Sequence, residues 1–320
     1  MRIVLPHSAW LGNIDPFLRE FDNSSPDFLE ITAHDKWISV HPVVLSMIAA
    51  LGLTVDPKKI RCEKFEAKSK HYLVRMGLFK LLNIASDVSI VEHESAGRFI
   101  PLTRIQTSGE LSRFITEMIP LLHLKPEQAQ TIGYIVSELV RNVIEHAAAE
   151  NGAIICAQYY QKSNSIRIGI ADTGLGIQAT MRRVHQVASD IEAIRLALMP
   201  GITGTTRREG GTEQNAGAGL FFIKSIASVN RDFFILYSGS ALYKLLKRTS
   251  EKRISLRADP FKDRHSKDGG LPAWQGTVVG VDITLDQTKE FSLLLEAIRK
   301  TYSKAVQERK KARHKRPRFI

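Results

Sequence analysis

Apolar positions in the first hundred residues follow two spacings, one typical of strands and one typical of helices. The strand-like runs lie at 27–33, 59–66 and 87–92, and the helical runs lie at 41–53 and 69–84. Pro42 suits the first turn of the earlier helix, where a missing N–H costs nothing. The stretch 93–104, with Gly97 and Pro101, interrupts the pattern. We therefore predict a small α/β unit over residues 1–98.

From residue 99 onward the pattern predicts a larger layered α/β unit over residues 99–287. Its predicted helices lie at 107–123, 127–149, 181–198 and 220–229, and its predicted strands lie at 153–161, 165–172, 232–239, 253–258 and 276–285. Residues 200–219 are rich in Gly and Thr, which predicts a mobile loop. This order of helices and strands favours an α/β sandwich. Residues 288–320 are predicted to form a last helix and a basic tail.

The overall composition changes this picture little. Of the 320 residues, 43% are apolar and 24% are charged, which is ordinary for a soluble globular protein. No apolar run approaches the ~18 residues of a membrane span, and polar residues and proline interrupt the N-terminal stretch, unlike a secretory signal. We therefore expect a cytoplasmic protein without membrane contact. Cys62 and Cys156 lie in separate strand-like stretches, which favours neither a metal site nor a disulfide framework.

The positive charge is concentrated at the C-terminus. The net charge of the chain is +12, and residues 301–320 contain eight Lys or Arg residues and one acid, Glu308. We interpret this segment first as a solvated, disordered end that keeps the protein soluble. The alternative is a weak nucleic-acid contact through residues 304–320, since basic tails also bind phosphate backbones.

The stretch SELVRNVIEHA, residues 137–147, carries polar residues along one side of a predicted helix. Glu138, Asn142, Glu145 and His146 lie opposite an apolar face. A helix with a solvated back explains such a pattern in most proteins. Asn is nevertheless a poor residue for a helix interior, because its amide competes with the backbone for hydrogen bonds. The stretch therefore remains a candidate site.

Two glycine-containing stretches follow this helix. In IADTGLGI an apolar strand ends at Asp172, whose carboxylate is suited to accept a hydrogen bond from an exocyclic amine such as that of adenine. Gly174 and Gly176 let the backbone approach a flat ring or a phosphate closely. In NAGAGLFFIKSIA, Gly217 and Gly219 precede an apolar helix whose first N–H groups attract phosphate. Each stretch alone also fits an ordinary turn before a helix.

The three stretches together, in this order, resemble the GHKL ATPase superfamily, which includes gyrase-type topoisomerases, heat-shock chaperone ATPases, histidine kinases and MutL repair proteins. The resemblance covers about residues 105–286. It implies a Bergerat-type α/β sandwich that binds ATP and Mg²⁺. The segment 276–285 is similar to the strand that closes the nucleotide sheet of this superfamily, which would place Thr277 near the adenine.

The resemblance also implies a role for each motif residue. Asn142 would coordinate Mg²⁺, Glu138 would act as general base, Asp172 would read the adenine, Gly174 and Gly176 would make room for the base, and Gly217, Gly219 and the amides leading to Leu220 would contact phosphate. The 40 residues of 177–216 would form the ATP lid. Within it, the run from Thr205 and Thr206 to Arg207 and Arg208 is a candidate contact for the γ-phosphate.

The position of a histidine suggests a branch of the superfamily. His93 is followed by Glu94 but no proline, and His41 precedes Pro42 without an acid, so neither matches a sensor-kinase acceptor. The pattern Glu-x-x-x-Asn-x-x-x-His is similar to that of anti-sigma-factor serine kinases. His146 would end this pattern, with a plain packing role as the alternative.

The first unit, residues 1–98, resembles STAS-like domains, the anti-anti-sigma fold. The acceptor serine that is usual in such domains is not identifiable in this sequence. Ser39 and Ser46 lie near the expected place, with capping or packing as their simpler roles.

Three functions remain open at this point. The first is an ATP-binding regulatory protein that hydrolyses ATP or phosphorylates a regulatory protein partner, as in an anti-sigma switch. The second is a non-catalytic ATP sensor that changes partner binding. The third is a nucleic-acid-linked ATPase, which lacks the long transducer domain of gyrase and MutL relatives. The oligomeric state is also open, a homodimer included.

Overall fold

The computed structural model describes residues 1–22, 27–34, 38–62, 67–85, 98–208, 210, 217–247, 256–285 and 291–314. The helices are α1 Asp15–Arg19, α2 Pro42–Gly52, α3 Ala67–Arg75, α4 Leu78–Leu81, α5 Ser108–Arg113, α6 Pro126–Asn142, α7 Gly176–Arg182, α8 Asp190–Ala197, α9 Gly219–Val229 and α10 Phe291–His314. The strands are β1 Arg2–Leu5, β2 Ser8–Ala9, β3 Leu29–Ala33, β4 Ser39–Val40, β5 Ile60–Cys62, β6 Phe99–Ile105, β7 Ala153–Tyr160, β8 Ser165–Ala171, β9 Phe234–Gly239, β10 Ala241–Leu245, β11 His265–Asp268 and β12 Trp274–Thr284.

The centre of the molecule is a seven-stranded sheet with the order β11-β10-β9-β12-β8-β7-β6. Every neighbouring pair in it is antiparallel. The prediction of a mixed α/β fold is confirmed. β12 pairs with β8 on one side and β9 on the other, so it lies inside the sheet, whereas we expected it to close the sheet. Its first residues bring Thr277 beside the end of β8, where Asp172 follows.

Both faces of this sheet are buried. Along β7, Ile155 packs into the cluster that includes α6 and α9, whereas Ile154 and Cys156 pack into a second cluster with the N-terminal segment. A strand alternates its side chains between the two faces, so a strand covered on both sides is apolar throughout. The run AIICA in β7 has this character. It is the signal in the sequence that the N-terminal segment shares a core with the sheet.

α2 is the element that covers the second face of the sheet. All eleven of its residues are buried, and it packs on β7 and β8. Gly169 of β8 makes this approach feasible, because an added Cβ there would lie 2.2 Å from the backbone nitrogen of Val43. The Ser46 hydroxyl donates to the Gly169 carbonyl at 2.9 Å. A glycine in a strand that meets another backbone has a packing role of this kind.

The N-terminal segment also contains two small parallel sheets, with strand orders β1-β3-β5 and β2-β4. The predicted helix 69–84 is divided into α3 and α4, because Gly77 adopts a φ of +82° between them. The predicted strand 87–92 lies outside the described residues. The small α/β character of this segment is present, and its resemblance to STAS-like domains stays a prediction.

Two predicted elements of the larger unit differ in the structure. The single helix predicted over 181–198 is two helices, α7 and α8, because the Ser189 hydroxyl accepts from the Glu192 amide and caps a new helix start. The predicted strand 253–258 lies mostly outside the described residues, and its described part, 256–258, is not a strand. The edge of the sheet is formed by β11, which pairs with β10.

The basic C-terminal segment is helical over most of its length. α10 continues to His314, so the expectation of a disordered end is wrong for residues 304–314. Its Leu294, Ile298 and Ala305 are buried, and this apolar stripe holds the helix against the domain. Residues 315–320 lie outside the described part of the chain. No helix within the described residues has both the length and the apolar character needed to cross a membrane.

Candidate functional site

The three motif stretches converge on one cavity of about 310 Å³. Eight of the nine predicted site residues line it: Glu138, Asn142, Asp172, Gly176, Gly217, Gly219, Leu220 and Thr277. The exception is Gly174. The cavity lies between α6, the start of α7 and the start of α9, and the ends of β8 and β12 form its floor. Residues far apart in the sequence therefore form one site.

Glu138 and Asn142 enter this cavity from α6. Val136 and Val140 on the other side of the helix are buried in the core, which fixes the polar side toward the cavity. After Asn142 the helix widens into one π-helical turn, Val143–Ala147. Such turns occur frequently at functional sites, because the wider turn redirects side chains.

Gly174 lies behind the cavity wall. An added Cβ there would lie 2.2 Å from the Ala147 carbonyl oxygen, and the Leu175 amide donates to the same oxygen at 2.7 Å. The Gly174 amide donates to Oδ1 of Asp172 at 2.8 Å. The structure thus places Gly174 where it joins the loop to the end of the π-helical turn. We expected Gly174 to make room beside a bound base, whereas the structure places it against the Ala147 carbonyl.

Asp172 forms the deep end of the cavity and is 1% exposed. Its backbone N–H donates to the Thr277 carbonyl at 2.9 Å, and its carbonyl accepts from Nε1 of Trp274 at 2.9 Å. Burial raises the pKa of its carboxyl group to about 7, against the lowering effect of the Gly174 and Thr277 amides. A buried carboxyl group with such a pKa in a cavity is a marker of a binding site.

Gly176 and Gly276 shape the same end of the cavity. Both have positive φ values, +76° and +102°. The Ser238 hydroxyl accepts from the Ile177 amide at 2.9 Å and donates to the Gly276 carbonyl at 2.6 Å, so it ties the two loops together. Neither Gly276 nor Ser238 is among the site residues predicted from the sequence. The position of Gly276 directly before Thr277 could have indicated its role. No local sequence pattern marks Ser238.

The N-terminus of α9 forms another part of the cavity wall. Within the described part of the chain no side chain caps this helix, and Gly217 precedes it with a φ of +63°. Helix amides without a side-chain cap attract anions such as phosphate. An added Cβ on Gly219 would lie 2.3 Å from Oε2 of Glu138, so the Glu138 carboxylate lies directly against this helix end.

The two polar residues of α6 have the properties that a ligand site requires. Burial raises the pKa of Glu138, the nearby Arg141 opposes this shift, and the charge of Glu145 adds to it. Nδ2 of Asn142 is buried and has no hydrogen-bond partner among the described residues. An unpaired buried amide costs free energy, which a bound ligand would recover.

The donor set fits Mg²⁺ held together with a phosphate ligand. Among the described residues no group of three or more His, Cys, Asp or Glu side chains surrounds a common point, so a metal cage made of protein alone is absent there. Mg²⁺ usually keeps waters and binds one or two protein oxygens plus substrate phosphates. The amide oxygen of Asn142 suits this requirement.

The segment 177–216, which we predicted to form the ATP lid, is helical over most of its first half. α7 and α8 occupy its first half and are fixed in the core by buried residues such as Met181 and Ile194. Thr203 and Gly204 line the cavity, in place of the run 205–208 that we expected near the γ-phosphate. Nε of Arg207 donates to the Val184 carbonyl at 2.7 Å.

The histidines and serines considered as phospho-acceptors occupy different environments. His146 lines the cavity, with Nε2 at 3.9 Å from Oε2 of Glu145. His41 and Ser46 are fully buried, so neither is accessible for phosphorylation in this structure. Ser39 is half-buried in β4, and His93 lies outside the described residues.

Comparison with models of protein families gives a match within the larger unit. Residues 101–230 match the family model of the histidine kinase-like ATPase domain. No curated protein matches the chain. The matched segment runs from β6 through α9 and includes the polar side of α6, Asp172 and the glycines before α9. The match and the cavity together support a GHKL-type ATP-binding domain at residues 101–230.

Proposed function

We propose that the chain is an ATP-binding regulatory protein that hydrolyses ATP or transfers its γ-phosphoryl group to a protein partner. The observation that carries the proposal is the convergence of eight motif residues on one cavity. The cavity is lined by a buried carboxyl group and by a helix N-terminus that has no side-chain cap among the described residues. These two features fit a nucleotide, which has a base with hydrogen-bond donors at one end and phosphates at the other.

At the deep end, Asp172 and Thr277 would bind the adenine. The ionised carboxylate of Asp172 accepts a hydrogen bond from the exocyclic amine, and the positive-φ Gly176 leaves the cavity open at this point. The hydrogen bonds that fix the backbone of Asp172 keep its carboxyl group in place before a ligand arrives. A preformed acceptor gives base specificity at little ordering cost.

At the shallow end, the amides that begin α9 would bind the phosphates. Gly219 carries no side chain that would displace Glu138 here, and Gly217 packs on Ile202, whose carbonyl oxygen an added Cβ would meet at 2.4 Å. Asn142 faces the same space from α6. Bound Mg²⁺ would neutralise part of the phosphate charge there. Asn142 would hold the ion through its amide oxygen, and its unpaired Nδ2 would donate to a phosphate oxygen.

Glu138 is the candidate general base. Its carboxylate lies against the start of α9, where phosphate would bind, and burial raises its pKa. A general base works best when its pKa approaches the operating pH. Oε2 would take the proton from an attacking water in hydrolysis, or from a hydroxyl group of the partner in phosphoryl transfer.

The partner and the pathway are inferred from features of the sequence. The histidine that follows Asn142 by one turn, the absence of a sensor-kinase acceptor motif and the STAS-like resemblance together favour a regulatory partner in an anti-sigma-type switch in the cytoplasm. A non-catalytic ATP sensor is the second candidate. It is favoured by the contact between Tyr302 of α10 and Gly210 of the predicted lid. Through this contact, a change of the lid on nucleotide binding would reach the surface helix α10.

The experiment that tests nucleotide binding is calorimetry with Mg-ATP on the full chain. Asn142→Ala should weaken binding at least tenfold and leave the fold intact, because a hydrogen bond or ligand bond at a charged centre is worth about 1.5–3 kcal/mol. Asn151→Ala is the matched control, because Asn151 lies outside the cavity and bonds to the Leu53 carbonyl. Equal Mg-ATP affinity in both variants would reject the assignment of Asn142.

Phosphate release and labelled-phosphate transfer to a cell extract then separate enzyme from sensor. Turnover by the wild type supports the catalytic proposal. ATP binding without hydrolysis or transfer, with extract present, would favour the sensor.

A further inference from the structure

A second cavity, of about 500 Å³, lies between α10 and the segment 256–262. We call it the α10 groove, and its lining consists of Met199, Leu256, Arg257, Ala258, Asp259, Lys262, Thr301, Lys304, Ala305, Glu308, Arg309 and Ala312. It shares no lining residue with the nucleotide cavity. None of the three motif stretches contributes to it. It is therefore a separate site.

The wall of the α10 groove opposite α10 is held in place by two anchors. Nζ of Lys224, a buried residue of α9, donates to the Arg257 carbonyl at 3.0 Å and to Asp263 at 2.5 Å. Arg195 of α8 binds Asp259 through two hydrogen bonds, at 2.6 and 3.1 Å. A wall fixed in this way loses little freedom when a ligand binds.

The chemistry of the α10 groove is an apolar floor with a mainly basic rim. The floor includes Met199, Leu256 and Ala305, and the rim carries four basic and two acidic residues. Of the acids, Asp259 already binds Arg195, which holds the pKa of Asp259 below its usual range. Glu308 lies 4.0 Å from Lys304 at an exposed position, where an ion pair is weak. The rim is therefore complementary to carboxylates.

A peptide fits this surface better than a nucleic acid does. Sites for single strands use aromatic side chains as stacking platforms, and none of the residues that line the α10 groove is aromatic. An amphipathic segment places apolar residues into a groove and charged residues on its rim.

α10 also contacts the base of the predicted lid. The Arg309 guanidinium donates to the Pro200 carbonyl, and Val306 packs on Gly201, where an added Cβ would lie 2.6 Å from a Val306 methyl group. The Tyr302 hydroxyl is 3.5 Å from the Gly210 carbonyl. Arg309 belongs to both the groove and the lid contact, so an occupant of the groove acts on a residue that touches the lid base.

We propose that the α10 groove docks an acidic amphipathic segment of a partner protein, and that docking is coupled to the lid base through Arg309 and its neighbours on α10. The docking site stands by itself. The coupling rests on the proposed ATP-binding function, because it requires the lid to respond to nucleotide.

The docking test is fluorescence anisotropy on the full chain without nucleotide. The probe is a synthetic, fluorescein-labelled peptide of about five helical turns, with leucine on one face and glutamate on the other. The wild type should bind it, and the glutamine version of the peptide should bind at least about tenfold more weakly. The double variant Arg257→Glu with Lys262→Glu should lose at least about tenfold in affinity for the glutamate peptide.

The matched control is the double variant Lys80→Glu with Lys162→Glu, which makes the same charge change at exposed sites outside the groove. It should bind the glutamate peptide as the wild type does. Equal binding of the glutamate and glutamine peptides, or equal loss in both double variants, would overturn the proposal. A labelled DNA duplex that binds the wild type and not the groove variant, with no peptide binding, would reassign the groove to nucleic acid.

The coupling test repeats the titration at saturating Mg-ATP. Peptide affinity should change by about fivefold or more, the usual range of coupling between sites. Val306→Ala removes the side chain that packs on Gly201 without changing a groove residue, so it should reduce this change and keep the nucleotide-free affinity. Bound Mg-ATP with unchanged peptide affinity would overturn the coupling alone. Absence of Mg-ATP binding would overturn the proposed function and the coupling, while the nucleotide-free titration still decides the docking site.

Discussion

α2 and α9 are two helices of equal length that lie on opposite faces of the same sheet. Each has eleven residues and is strongly apolar. α2 packs into the cluster of the N-terminal segment, and α9 packs into the cluster with α6. Their burial and hydrophobic pattern would assign both to the core. They differ in how their N-termini are satisfied, and this difference separates a structural helix from a functional one.

The N-terminus of α2 is closed by its own chain. Nδ1 of His41 accepts from the Val43 amide at 3.0 Å, and Pro42 has no N–H to satisfy. Because Nδ1 is an acceptor, the ring proton lies on Nε2, which donates to Asp282 at 3.1 Å. Burial lowers the pKa of His41, which keeps the ring neutral. Gly169 then fits against this closed end.

The N-terminus of α9 has no side-chain cap among the described residues and faces a cavity. The Glu138 carboxylate, which comes from another helix and is the candidate base, lies against it. An apolar helix whose first N–H groups are satisfied by its own chain stabilises the fold. A similar helix whose first N–H groups stay available is also suited to bind a ligand. The following predictions test whether substitutions at the N-terminus of α2 change stability, while substitutions at the N-terminus of α9 change activity.

The largest expected effect is on turnover at the α9 end. Glu138→Gln keeps the size and most of the hydrogen-bonding capacity of the side chain but removes the base. ATP hydrolysis or transfer should fall by about 10²–10⁴-fold, the usual contribution of a general base, while Mg-ATP still binds. Phosphate release at saturating Mg-ATP measures the first and calorimetry the second. Wild-type turnover that survives this substitution would reject the catalytic role of Glu138.

The next prediction compares two Gly→Ala substitutions, one beside the N-terminus of α2 and one at the N-terminus of α9. In Gly169→Ala the new Cβ would lie 2.2 Å from the Val43 nitrogen and 2.3 Å from its Cα, so backbone must shift. We expect a loss of about 3 kcal/mol in the free energy of unfolding, at the upper end of the usual overpacking cost. Urea unfolding measures it.

Gly219→Ala is the counterpart at α9. The nearest atom to the new Cβ is Oε2 of Glu138, the end of a flexible side chain. Unfolding free energy should change by less than about 1 kcal/mol, since Ala also favours the helix over Gly. Turnover should fall, because Glu138 is displaced. If Gly219→Ala destabilises the fold as much as Gly169→Ala does, the contrast between the two helix ends is wrong.

The residues around the N-terminus of α9 were easier to predict from the sequence than those around the N-terminus of α2, for a physical reason. Asn142, Asp172 and the glycines before α9 are local departures from helix and strand patterns, and such departures are visible in a short window. The role of Gly169 depends on a helix more than a hundred residues earlier, so no local window contains it. The unbroken apolar run of β7 was the available signal that the second face of the sheet is covered.

Gly174 and α10 show two other limits. Gly174 belongs to a recognisable motif, but its place behind the cavity wall depends on where the Ala147 carbonyl ends the π-helical turn. For α10, the charge of the segment 304–314 outweighed its apolar stripe in the prediction. The buried Ala305 and Val306 decide the outcome, because they are covered by neighbouring elements that a sequence window does not include.

A smaller effect concerns the hydrogen bond to the base. Asp172→Asn removes the charge of the acceptor and should weaken Mg-ATP binding by about 10–100-fold, since hydrogen bonds to charged groups are worth about 1.5–3 kcal/mol. Ser46→Ala is the control on α2, because it removes a buried hydrogen bond to Gly169 on the other face. It should lower stability by about 1 kcal/mol and leave ATP affinity unchanged. Equal affinity in the wild type and Asp172→Asn would contradict the adenine assignment.

The smallest effect is the pH dependence that Asp172 gives to the site. Its pKa of about 7 in the ligand-free protein lies well above the ordinary value of an aspartate, because the carboxyl group is buried. The ionised form accepts the hydrogen bond from adenine, so Mg-ATP affinity should rise by about tenfold from pH 6 to pH 8, as the ionised fraction rises from about a tenth to nearly one.

Ligand-free stability should change in the opposite direction. A carboxyl group whose pKa is raised on folding contributes stability at low pH that is lost as the pH rises toward 7. Asp172→Asn should flatten both profiles relative to the wild type, measured by calorimetry and urea unfolding at each pH. An affinity profile that stays equally steep in Asp172→Asn would assign the titration to another group, such as Glu138, and would leave the α9 end as the source of the pH response.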